Sequence, residues 1–91
     1  MAMSDFVRRH RAGEFSITSL PDGSGVLLDL EREVLLNFNA TGAFMLACLA
    51  QGLSEDEVVE RVWERYAVDP ATARADVAQF AEKLLQAIAP G

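Results

Sequence analysis

The chain contains a single cysteine, Cys48, and a single histidine, His10. One thiol can form neither an internal disulfide nor a Cys-x-x-Cys redox pair, and it is too few for a zinc cluster, so the core has to hold by packing alone. Basic residues are also scarce. Eight lysines and arginines face 14 aspartates and glutamates, for a net charge of −6, which repels a phosphate backbone and argues against a nucleic-acid partner. Long apolar runs are missing as well. The longest, Ala43 to Ala50, falls far short of the roughly 18–20 residues that cross a bilayer. No cleavable signal pattern opens the chain, so no membrane partner and a cytoplasmic location are expected.

What remains is the composition of a globular protein: 91 residues, 51% hydrophobic and 24% charged, enough for one compact domain with a single core. Residues 1–13 mix Arg8, Arg9, His10 and Arg11 with scattered apolar positions and are expected to form a loosely tied N-terminal arm, leaving 14–91 as the folded domain. From Glu14 the pattern turns to short β-like segments. Phe15 and Ile17 alternate with polar residues, and Pro21-Asp22-Gly23-Ser24-Gly25 then combines fixed φ, side-chain capping and glycine permissiveness in one hairpin turn. Val26–Leu30 and Val34–Phe38 flank Glu31-Arg32-Glu33, which suits a second hairpin. In the last run Val34, Leu36 and Phe38 share one face, and Leu35 and Asn37 the other.

After Asn39 the period becomes helical. Asn39 or Thr41 can cap a helix that is apolar on every side from Gly42 to Ala50 and ends near Gly52. Ser54 and Glu57 form a capping box for a second helix over about 54–66, with Val58, Val59, Val62, Trp63 and Tyr66 on its core stripe. Asp69-Pro70 starts a third, on which Ala73, Val77, Phe80, Leu84 and Ile88 recur at spacings of three and four until Pro90-Gly91. The predicted order is three antiparallel strands followed by three helices, an α+β fold.

Catalytic chemistry finds few carriers. Cys48 sits within the all-apolar helix with no sequence neighbour that would lower its pKa, and reads as a small core residue. His10 lies in the expected arm, where it is simply solvated. Glu55, Asp56, Glu57 and Glu60 crowd the first turns of the second helix, where negative charge complements the helix dipole on a wet face. Gly23-x-Gly25 leads into a strand, so it is a turn and not a nucleotide-binding loop. The chain reads as a non-enzyme without metal or cofactor. The feature that asks for a partner is the third strand: apolar on both faces and at the edge of a meander, it needs cover from a helix of the same chain or from an incoming strand.

Several stretches carry a family resemblance: Asp22-Gly23-x-Gly25-Val26-Leu27-Leu28-Asp29-Leu30, Phe38-Asn39-x-Thr41-Gly42-Ala43, Leu49-x-x-Gly52-Leu53-Ser54, Tyr66-x-Val68-Asp69, and Ala73-x-x-Asp76-Val77-x-x-Phe80-x-x-x-Leu84. Their order and spacing resemble the PqqD-like RiPP recognition elements, which bind leader segments of ribosomally made precursor peptides. The resemblance implies a winged helix-turn-helix-like fold with three strands before three helices. It also implies a leader peptide added antiparallel to the third strand, in a groove against the third helix. Carried over, Val34, Leu35, Leu36, Asn37 and Phe38 supply the pairing edge, and Asp76, Phe80, Lys83 and Leu84 the far wall. The stand-alone members of lasso-peptide pathways are the nearest in pattern, which implies a leader peptidase as partner; in the PqqD branch the partner is a radical SAM enzyme. A winged-helix DNA-binding protein and a dimer formed through the edge strand are the alternatives from other classes.

Overall fold

The computed structural model describes residues 2–89, as four helices and one three-stranded sheet: α1 (Met3–Arg11), β1 (Phe15–Ser19), β2 (Gly25–Asp29), β3 (Val34–Phe38), α2 (Ala40–Ala50), α3 (Glu55–Tyr66) and α4 (Pro70–Ile88). The strands form an antiparallel meander in the order β1-β2-β3, as the two turn signals require. In the first turn Asp22 Oδ1 accepts from the backbone N–H of Ser24 at 2.9 Å, and Gly23 takes a φ of 90°, a region that costs glycine nothing. In the second, Asp29 is buried and its Oδ1 accepts from the N–H groups of Glu31 and Arg32, so a side chain closes the turn that delivers β3.

Register sorts the side chains. The rows Phe15–Asp29–Val34 and Ile17–Leu27–Leu36 lie on the face turned toward the helices, where Phe15 and Leu27 are buried. Leu28 and Leu35 pair on the opposite face, and Leu35 there is 56% exposed. The helices form the second layer. α2, whose Leu46 and Leu49 are fully buried, packs against each of the other helices and against β2 and β3. Its N-cap is Asn39, whose Oδ1 accepts from Gly42 N at 2.8 Å, which decides between the two capping residues the sequence offered. Ser54 and Glu57 exchange the hydrogen bonds of the capping box at the start of α3, and Asp69 receives Ala71 N and Thr72 N at the start of α4.

Three expectations are corrected. The segment read as a loosely tied arm is α1. Its apolar stripe, Met3, Phe6 and Val7, is too short to signal a helix by itself, but Phe6 is completely buried with its ring 5.5 Å from that of Phe15. Arg9, only 11% exposed, pairs with Glu14 and Glu31 and donates to Ile88 O, which fastens α1 to the end of α4. His10 is accordingly not a solvated tail residue: its ring stacks on Phe6, and its Nδ1 is buried with no hydrogen-bond partner. Trp63, placed on the core stripe of α3, is 48% exposed. Val58, Val59 and Val62 already fill that interface, and the helical period carries Trp63 beyond their edge. The Pro90-Gly91 stop lies outside the described residues.

Candidate functional site

Because β3 pairs only with β2 among the described residues, its second edge presents unpaired backbone N–H and C=O groups. Alongside this edge runs α4. Arg32, in the turn before β3, donates from Nη1 to the carbonyl oxygens of Ala87 at 3.2 Å and Ala89 at 2.8 Å. At the other end of the strand the rings of Phe38 and Phe80 meet at 5.7 Å between centroids. The helix therefore runs opposite in direction to β3, and the two diverge enough to leave an open groove of about 590 Å³.

The floor is apolar: Leu36 and Phe38 from the strand, Met45 from α2, and Phe80 and Leu84 from α4. Polar groups form the rim, with Asn39 and the backbone edge at Asn37 on one side and Asp76, Gln79 and Lys83 on the other. Gly42 sets the corner. A Cβ there would lie 3.3 Å from Phe80 Cε1 and 3.3 Å from Asn39 Oδ1, so the absence of a side chain lets Phe80 rest directly on the first turn of α2. Asp76, Phe80, Lys83 and Ala87 line the groove from one stripe of α4, with steps of four, three and four. The neighbouring stripe, Ala73, Val77, Leu84 and Ile88, is buried in the core, and Leu84 touches both.

Of the residues singled out in the sequence, Leu36, Asn37, Phe38, Asp76, Phe80, Lys83 and Leu84 come together around this groove. Val34 and Leu35 do not line it. Val34 stands at the start of the strand, paired with Asp29, and Leu35 projects from the opposite face of the sheet. Sequence reasoning missed Met45, Gln79, Ala87 and the corner formed by Thr41 and Gly42. Gln79 and Ala87 were reachable by helical spacing from Phe80 and Lys83, whereas Met45 lies in a segment apolar on all sides, where periodicity singles out no face.

No three potential metal-binding side chains gather among the described residues, and none of the described helices is long and apolar enough to cross a membrane. Cys48 is buried in α2, and desolvation pushes its thiol pKa up, away from the reactive thiolate.

The family profile of Coenzyme PQQ synthesis protein D (PqqD) matches residues 24–87. The chain belongs to the PqqD family. Two solved structures share its fold. One is TbiB1 in complex with the TbiA(beta) leader peptide, at a TM-score of 0.74 and 25% identity, covering 80% of this chain and 84% of that one. The other is a lasso peptide synthetase B1 complexed with the leader peptide, at a TM-score of 0.70 and 27% identity, covering 80% of this chain and 85% of that one. No curated protein matches the chain. Within the PqqD family match, residues 24–87 take in β3, α2, α3 and all of α4 up to Ala87, and hence every residue that lines the groove.

Proposed function

We propose that this chain is a non-catalytic recognition element. It captures the leader segment of a ribosomally made precursor peptide as a fourth strand on the free edge of β3, and presents it to a separate processing enzyme, a leader peptidase of a lasso-peptide pathway. The observation that carries the reading is an unpaired strand edge lying directly beside an apolar groove. An edge supplies main-chain hydrogen bonds to any extended peptide, and a groove next to it selects every second side chain. Both structural relatives were solved with leader peptides, which favours this occupant. A strand of a few residues with two or three apolar anchors reaches a dissociation constant of roughly micromolar, about −8 kcal/mol, once ordering costs are subtracted.

The family description, coenzyme PQQ synthesis, favours a second reading in which the partner is a radical SAM enzyme. DNA binding is disfavoured by charge: on α4 the cations Arg74 and Lys83 are matched in number by Asp76 and Glu82, and Arg74 is engaged by Asp56 at 2.8 Å. The deciding experiment is a fluorescence-anisotropy titration with labelled leaders from a lasso precursor and from a PqqD-type precursor, with a scrambled leader and a DNA duplex as controls. Saturable binding to one leader alone supports capture and chooses the pathway. Binding to neither sinks the proposal.

A further inference from the structure

The groove is apolar along its floor but charged at its two ends, with opposite signs. Asp76 lies toward the Phe38 end and Lys83 toward the end closed by Arg32 and Ala87. Both side chains are exposed, and neither has an ion-pair partner within the described residues. They are seven positions apart on α4, two turns, and so face the groove from one stripe about 10 Å apart along the helix. The first turn of α2 also meets the Asp76 end, but Asn39 already occupies Gly42 N, and a full carboxylate charge outweighs the roughly half charge of a helix terminus. At the opposite end the Arg32 guanidinium is bonded to the Ala87 and Ala89 carbonyls and offsets the negative end of α4, so Lys83 supplies the positive charge that faces the groove.

Resting on the capture reading above, we propose that the groove reads the order of charges in its ligand. The preferred segment has a lysine or arginine, then an apolar residue two positions on, then an aspartate or glutamate two positions further, running in that order from N- to C-terminus. The spacing follows from the strand repeat. Groove-facing residues recur every second position, about 6.7 Å apart, so a cation and an anion flanking one apolar anchor stand about 13 Å apart, within side-chain reach of Asp76 and Lys83. The order follows from the sheet. Both existing pairings are antiparallel, and an antiparallel newcomer passes Phe38 and Asp76 first and Lys83 last.

The test takes the leader that saturates in the titration above and rewrites its groove-facing residues as Lys-x-Leu-x-Glu, as Glu-x-Leu-x-Lys, or as Gln-x-Leu-x-Gln. Each is titrated by anisotropy, at low and high salt, against the native protein and against the double variant Asp76→Lys, Lys83→Asp. Circular dichroism confirms that the variant is folded. The native protein is expected to bind the Lys-first peptide about fivefold or more tightly than the Glu-first peptide at low salt, with the gap shrinking at high salt. The double variant is expected to invert the preference. Equal affinities, a Glu-first preference in the native protein, or a preference that the double variant leaves unchanged would each overturn the charge-order proposal while leaving capture intact. If no leader saturates in that first titration, capture itself fails and the proposal falls with it.

Discussion

At the scale of single residues, neighbours in sequence have opposite assignments. Leu35 and Leu36 are adjacent and chemically identical, yet one is exposed on the outer face of the sheet and the other floors the groove. Leu36→Ala is expected to weaken leader binding about tenfold, or roughly 1.4 kcal/mol, while Leu35→Ala stays within about twofold; paired anisotropy titrations check the split. Gly42→Ala is expected to preserve the fold but push Phe80 into the groove, because its ring is the neighbour best able to yield. The signature is reduced affinity with a melting temperature close to that of the native protein. Cys48 is expected to resist alkylation in the folded protein and to react once urea opens the core, since burial both shields the thiol and raises its pKa.

At the scale of elements, local signals decided what the sequence could reveal. Ser54 with Glu57, Asp69 with Pro70, and the Pro21–Gly25 turn are short-range devices whose chemistry is complete within a few residues, and α3, α4 and the first hairpin stand where they point. α1 escaped because its stability is tertiary: Phe6 signals nothing until Phe15 covers it, and Arg9 looks like one more solvated charge until Glu14, Glu31 and the Ile88 carbonyl surround it. Phe6→Ala is accordingly expected to cost about 3–5 kcal/mol in a urea melt, a loss that a free arm would not produce. Asn39→Ala removes the α2 cap and is expected to cost about 1 kcal/mol.

The groove itself belongs to this middle scale. Its strand half was legible from the apolar edge, and its helix half from the resemblance. Periodicity gave the stripes of α4 but could not orient them, because Phe80 and Leu84 continue the apolar rhythm of the core.

At the scale of the whole molecule, hydrogen bonds that hold the elements in place also tie stability to pH. Asp5 is held below its ordinary value by the Arg8 side chain and the Ala2 N–H, Asp22 by Ser24, Glu57 by the backbone and hydroxyl of Ser54, and Asp69 by Thr72 and Ala71. A carboxyl with a depressed folded-state pKa binds fewer protons folded than unfolded, so its contribution is complete above the ordinary value and is lost as the pH falls through the folded one. The urea midpoint is expected to hold steady through neutral pH and to decline below about pH 4. Asp69→Asn should flatten part of that decline.

Among the described residues the helices cover one face of the sheet, and Leu28 and Leu35 mark the other as open. A strand laid beside β3 inherits this two-sidedness, with its side chains alternating between the groove and solvent. Such a segment is written in two interleaved alphabets. Under the proposed capture, one set of positions is spelled for the domain that holds it and the set between stays open to solvent, so a bound segment can alter one message without rewriting the other.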